Sequence, residues 1–294
     1  MKFFKGKITI ISLATQFLVI FNACIGSAFA NTEESIAQKN NSTQIANKDE
    51  NLINMTGDHK KNKVAFVAYG NEKFKNSRER IKQEALEIGA FDFVDVYTDK
   101  NLPGFLEKHG KFVDENKRGG GYWIWKPMAI LETMKKLEDN DIAIYVDSGS
   151  VLRKEHIEIL DNYLKELYLS DANLLVFQMH YQEACWTRAD VAKEFGFSID
   201  SPEMLTGQIH ATFFLIKKNS ESIYFLKDWL SFITKSDYQF VTDETSGVPN
   251  HSCFKEHRHD QSAFSLMAKT HGAIIKRHLR SHEDRFFDPQ RIRQ

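Results

Sequence analysis

Short apolar runs alternate along this chain with segments in which charged and apolar residues take helical spacing. Residues 64–70 read as a buried strand that ends in a turn, and 77–88 as a helix with one charged face. A second strand is expected over 91–97, where Val94 and Val96 alternate with Asp95. A helix follows over 127–137, with Pro127 tolerated in its first turn. The run 142–146 is a third strand that stops at Asp147-Ser148-Gly149-Ser150. Beyond it the pattern predicts a helix over 157–167, strands over 173–178 and 208–216, and a helix over 220–232 that carries Trp229. A last helix at 260–269 and a short strand at 273–276 complete the series. Strands alternating with helices imply an α/β fold, a mostly parallel central sheet with helices on both faces. Ligands in such sheets bind beyond the carboxyl ends of the strands, where Tyr69, Asp147 and Gln178-Met179-His180 are expected.

The pattern breaks down before residue 64. Lys2, Lys5 and Lys7 precede an apolar run at 8–21 and then Ala28-Phe29-Ala30, the three parts of a secretory signal peptide over 1–30. The alternative is an uncleaved signal anchor, although Thr9, Ser12, Thr15, Gln16 and Asn22 dilute the run. A lipoprotein site at Cys24 fits poorly with the preceding Phe21-Asn22-Ala23. Residues 31–63 hold seven Asn, no aromatic residue and no Pro, too little apolar surface to offset ordering, and read as a disordered polar linker or stem. Asn40, Asn41 and Asn54 stand in glycosylation acceptor patterns there. The ordered domain is expected over 64–294, and the chain is expected to be exported, secreted or lumenal, or tethered as a type II membrane protein if the leader stays.

Composition narrows the class. With 39 Lys+Arg against 40 Asp+Glu, the chain is not a basic nucleic-acid binder that works by phosphate neutralisation. Loss of the leader, with three Lys and no acid, takes the net charge from −1 to −4. Five Pro and three Cys exclude collagen-like and disulfide-dense scaffolds. Cys185 and Cys253 remain in the mature chain, either paired or as two buried thiols. There is no CxxC, and the His278 to His282 spacing has no cysteine pair to complete a zinc site. No GxSxG elbow is present, which disfavours an α/β serine hydrolase.

Four strings carry chemistry. Asp147 at the end of an apolar strand is placed to hold a hard divalent cation that bridges a diphosphate, or else to cap a turn. Arg118-Gly119-Gly120-Gly121-Tyr122-Trp123-Ile124-Trp125-Lys126-Pro127 combines glycines that permit close backbone approach with aromatics and a lysine for a base or phosphate. The plainer reading is a glycine-rich connection before a helix whose aromatics pack in the core. His257-Arg258-His259-Asp260-Gln261-Ser262 opens a helix with Asp260 as first-turn acid, or as a catalytic or sugar-binding carboxylate with His and Arg partners. In the fourth string, beyond a strand, Glu183 can hydrogen-bond hydroxyls and Trp186 can stack on a sugar, or else the Trp is simply buried in a helix-start loop. Cys185 has no neighbour that would make it a nucleophile.

In this order, Gly121-Tyr122-Trp123-Ile124-Trp125-Lys126-Pro127, Tyr145-Val146-Asp147-Ser148-Gly149, Trp186-Thr187 and His257-Arg258-His259-Asp260-Gln261-Ser262 resemble a family of bacterial and viral glycosyltransferases. These are similar to nucleotide-diphospho-sugar transferases of the GT-A fold. The resemblance spans 64 to the last helix and implies a single catalytic domain with a nucleotide-diphosphate sugar donor and a glycan, lipid or protein acceptor. It places Asp147 at the first Asp of the Asp-x-Asp metal motif, with Gly149 at the third position, so the motif for Mn2+ or Mg2+ is incomplete. It sets the Asp260-Gln261 pair toward the donor sugar. The expected catalytic carboxylates are Asp260 and Glu183. Tyr69, Trp123, Trp125, Lys126, Asp147, Ser148, Gly149, Trp186, Arg258 and Gln261 are expected to bind the nucleotide-sugar, and Asp147 the metal. Two other readings stay open, a non-catalytic nucleotide- or sugar-binding protein on the same scaffold and a secreted metal-dependent hydrolase.

Overall fold

The computed structural model describes residues 62–277 and 285–289. The leader over 1–30, nearly all of 31–63, and His278 and His282 lie outside the described residues. No helix among the described residues is long and apolar enough to cross a membrane.

The core is a seven-stranded sheet in the order β2-β1-β3-β7-β5-β6, with β8 also paired to β5. Its strands are β1 (Val64–Tyr69), β2 (Phe93–Tyr97), β3 (Ile142–Val146), β5 (Leu174–Gln182), β6 (Gly207–Ile209), β7 (Phe213–Lys217) and β8 (Ile274–Arg277). β1 runs parallel to both β2 and β3, and β8 runs parallel to β5. β7 is antiparallel to β3 and β5, and β6 is antiparallel to β5, so five of the seven strands share one direction. A two-stranded ribbon, β4 (Val151–Leu152) with β9 (Phe287–Asp288), stands apart.

Period-2 alternation sends neighbouring residues to opposite faces. Ala65, Val67, Tyr69, Ala143, Tyr145, Phe214 and Ile216 join one buried cluster with helices α3 (Trp125–Met134), α6 (Ser220–Thr234) and α7 (Asp260–Thr270). Val64, Phe66, Ala68, Ile142, Ile144, Val146 and Leu215 join another with α1 (Lys75–Ile88) and α4 (Ile157–Leu169). Burial on both faces explains why β1 and β3 read as unbroken apolar runs. α2 (Phe105–Glu115), which has Gly104 before it at φ 70°, and the short α5 (Ala189–Glu194) were not foreseen.

Two strand expectations need correction. β5 continues to Gln182, so Gln178, Met179 and His180 lie within the strand and not beyond its end. The strand expected over 208–216 is broken into β6 and β7, because β5 pairs Leu175 with Leu215 but Gln178 with Ile209. In the bulge between them, His210 still donates its N–H to the Phe177 carbonyl of β5 and Thr212 accepts from Asp147 after β3, while Ala211 turns its N–H and carbonyl out of the ladder to the side chains of Gln261 and Lys126.

Candidate functional site

The chain leaves β1 for β2 on one side and then crosses to β3 on the other, so the strand order reverses between β1 and β3. A crevice at the carboxyl ends of such strands is the usual ligand position in an open α/β sheet. Asp147 stands there, immediately after β3. Its N–H donates to the carbonyl of Thr212 in the bulge at 2.7 Å. Its Oδ1 accepts from the Tyr145 hydroxyl at 2.6 Å and lies 3.3 Å from Lys126 Nζ.

Lys126, in the first turn of α3, is buried and faces three oxygens. Its Nζ donates to the Ala211 carbonyl at 3.0 Å and pairs with Asp260 Oδ2 at 2.9 Å, besides its pairing with Asp147. One of the ammonium's three donors is bonded to the Ala211 carbonyl, and the two carboxylates are paired with it as ions. Burial works against the lysine's charge, but Asp147 and Asp260 outweigh it and raise its pKa above the ordinary value. Asp260 is the first residue of α7, and burial pushes its carboxyl up to about 6 against the opposing pull of Lys126. The Tyr145 phenol is raised by burial and by Asp147, so it stays protonated and donates.

Gln261 completes this group. Its Oε1 accepts from the Ala211 N–H at 3.1 Å, and its Nε2 donates to Gln208 Oε1 at 2.7 Å. Thus Lys126, Asp147, Asp260 and Gln261, expected from three separate strings, meet around the bulge. Nothing in the sequence marks out Ala211, whose contribution is all backbone. Polar Gln208 and His210 inside an apolar run were the available hint.

The glycine-rich string serves conformation rather than ligand approach. Gly119, Gly120, Gly121, Tyr122 and Trp123 have φ of 59°, 63°, 90°, 51° and 62°, a continuous left-handed turn. Its N–H groups from Gly120 to Trp123 bond to carbonyls of 116–119, so they are not turned to a phosphate. A Cβ on Gly119 would lie 2.5 Å from the Trp123 ring, and one on Gly121 would lie 2.8 Å from Val113. The turn sets Trp123 against the His259 ring at 5.4 Å. It also puts the Trp125 indole N–H on the Gly119 carbonyl at 2.9 Å. Trp125 stacks on Tyr69 at 3.9 Å with both rings buried, so neither offers a face to a base. Ser148 is buried as well, with its carbonyl taken by Arg80, and Gly149 is half-buried beside it.

The remaining expectations divide. The Arg258 guanidinium lies 4.1 Å over the Trp186 ring and pairs with Glu256 at 3.1 Å, so that face of Trp186 already carries a cation. His257 donates from Nε2 to the Phe240 carbonyl at 2.9 Å, and His259 from Nδ1 to the Val241 carbonyl at 2.8 Å. Burial lowers these imidazoles to about 3 and about 4, so both are neutral struts rather than solvated bases. Glu183 is not placed as a base. Both its oxygens are spent, accepting from Thr187, Gln208, Ser265 and Lys269, whereas the similarly buried Asp260 is paired with Lys126 through Oδ2. Cys185 and Cys253 form a disulfide, which joins the turn after β5 to the loop before α7. A cavity of about 590 Å³ between Arg188, Asp243, Asn250 and His257 touches none of the residues expected in the site.

Among the described residues no three His, Cys, Asp or Glu side chains are grouped to hold a metal ion. Asp147, about 30% exposed, is the carboxylate of the cluster with a share open to solvent, and only its Oδ1 carries a bond among the described residues. One open carboxylate oxygen is too little for an all-protein metal cage, but fits a cation that is also held by a diphosphate.

No family profile and no curated protein matches the chain. Among solved structures it is similar to a glycosyltransferase involved in glycosylation of the major capsid of PBCV-1, at 13% identity and a TM-score of 0.37, covering 73% of this chain and 80% of that one. It is also similar to the apo form of mouse xyloside xylosyltransferase 1, at 14% identity and a TM-score of 0.35, covering 73% and 72%. A third is the galactosyltransferase LgtC in complex with donor and acceptor sugar analogues, at 14% identity and a TM-score of 0.33, covering 72% of each chain.

Proposed function

We propose that this chain is a glycosyltransferase that moves a sugar from a nucleotide-diphosphate donor to a hydroxyl of a glycan, lipid or protein. One observation carries the reading. Lys126, Asp147 and Asp260 come from three strings that are distant in sequence, yet they interlock at 2.9 and 3.3 Å where the strand order reverses.

In this reading the open side of Asp147 accepts from donor hydroxyls, while Tyr145 and Lys126 hold its other oxygen still. Asp260 takes the proton of the acceptor hydroxyl; at neutral pH it is ionised, since its carboxyl titrates at about 6. Gln261 contributes a fixed amide beside the donor sugar. A divalent cation would be held by Asp147 together with the donor diphosphate and would supply positive charge to the leaving group. The Cys185–Cys253 disulfide supports a route through an oxidising compartment, in line with the leader expected over 1–30.

The test is calorimetric titration of the purified chain with UDP, GDP and their sugars, with and without Mn2+. Saturable binding of one nucleotide class, weakened in Asp147→Asn, is the expected result. Absence of binding under every condition would overturn the reading.

A further inference from the structure

Glu183 lies away from the ligand side of the cluster and still connects to it. Its Oε1 accepts from Thr187 Oγ1 at 2.5 Å and Gln208 Nε2 at 2.8 Å, and its Oε2 from Ser265 Oγ and Lys269 Nζ, the latter at 2.9 Å. Gln208, only 1% exposed, accepts at Oε1 from Gln261 Nε2 at 2.7 Å. Gln261 Oε1 accepts from the Ala211 N–H at 3.1 Å, and the Ala211 carbonyl accepts from Lys126 at 3.0 Å.

This chain of bonds has a direction. A carboxylate only accepts and a backbone N–H only donates, so both ends are fixed. Between them a side-chain amide could face either way, with its NH2 and carbonyl exchanged. Glu183 requires the NH2 of Gln208 toward itself, which turns the Gln208 carbonyl to Gln261. Gln261 must then present its NH2 to Gln208 and its carbonyl to the bulge, which agrees with the Ala211 donor. Lys269, about 5% exposed, neutralises the buried carboxylate, so the direction is set without leaving a bare charge in the core.

We infer that Glu183 is a positioning residue. Acting through Gln208, it fixes the orientation of the Gln261 amide, and through Ala211 the carbonyl that receives Lys126. The consequence for binding rests on the transferase reading above: Gln261 meets the donor sugar in one orientation only, with one N–H and one carbonyl lone pair left for hydroxyls. The orientation itself is independent of that reading.

The test uses the full chain labelled with 15N-glutamine. Gln208 and Gln261 side-chain amides are assigned by comparison with Gln208→Leu and Gln261→Leu. In wild type the Gln261 amide is expected as one slowly exchanging pair of resonances. In Glu183→Gln/Lys269→Met, which removes the fixed acceptor and its countercharge together, the Gln261 pair is expected to shift or double and to exchange at least 10-fold faster. Gln208→Leu, which leaves the Glu183–Lys269 pair intact, should have the same effect on Gln261 and serves if the double variant does not fold. An unchanged Gln261 pair in a folded variant would overturn the inference. The second arm titrates UDP-glucose and GDP-mannose. If either binds wild type, the variants should weaken it at least 5-fold, with no further loss when Gln261→Leu is added. Additive losses would overturn the inference. If neither sugar binds wild type while the resonances behave as expected, the failure lies with the transferase reading alone.

Discussion

Lys126 donates to the carbonyl of Ala211, 85 residues further along the chain, at 3.0 Å. The contact exists because the sheet is interrupted at 210–212; in a continuous strand that carbonyl would be spent on a neighbouring strand. The break therefore turns an element of the scaffold into part of the charge cluster, and it determines where a buried cation can sit.

Removing that cation should be costly. Lys126→Met leaves the buried Asp260 without its countercharge, and breaking a buried pair from one side costs about 3–5 kcal/mol. Urea unfolding should show this as a lowered midpoint. Lys126→Met/Asp260→Asn should regain a large part of the loss, because the uncompensated charge is gone. A single variant as stable as wild type would exclude Lys126 as the countercharge.

The left-handed turn separates two kinds of glycine. Gly196 has φ 80° and nothing within 4 Å of an added Cβ, so Gly196→Ala should cost only the backbone term of about 1–2 kcal/mol. Gly119→Ala adds a clash with the Trp123 ring and should cost clearly more. Equal losses in denaturant unfolding would show that Trp123 moves aside freely.

Acid should destabilise the fold through the two histidines. Both have folded pKa values lowered by burial, to about 3 for His257 and about 4 for His259. Between the ordinary value of about 6.5 and those values, the unfolded chain binds protons that the native chain does not. Their contribution is thus fully present above about 6.5 and is lost as pH falls toward 4. Asp260 acts with the opposite sign between about 4 and 6, because its folded pKa is raised, but it is one group against two. The melting temperature should fall from pH 6.5 to 4, and less steeply in His257→Gln than in wild type.

Transfer should report on Asp260. Loss of a general base typically costs about 10²–10⁴-fold, so Asp260→Asn should reduce turnover to that extent. In wild type, turnover should rise with pH through about 6 as the carboxyl ionises. A flat profile between pH 5 and 7 would remove Asp260 as the base.

Much of the frame was legible because its signals are local. β1 and β3 are dense apolar runs, and α4, α6 and α7 carry spaced apolar residues, so their periods are unambiguous. Asp147 and Asp260 could be singled out since each stands at an element boundary. The role of Glu183 could not, because Ser265 and Lys269 reach it from 82 and 86 residues away. Nor could the handedness of 119–123, since three glycines permit a left-handed turn as readily as a close approach to a ligand. The bulge was hidden for a similar reason, as the same apolar residues suit a straight strand and a broken one.

The disulfide has a consequence for proteolysis. Cys185 and Cys253 close a covalent ring that encloses β6, β7 and α6, along with the largely exposed stretch 243–249. Exposed loop tips of this kind are preferred sites of nicking. A protease that cuts within 243–249 opens the ring but does not divide the molecule, since the segment carrying Ala211 stays tethered through Cys185 to the helix carrying Asp260. Nicked protein should therefore migrate as one species without reductant and as two fragments with it.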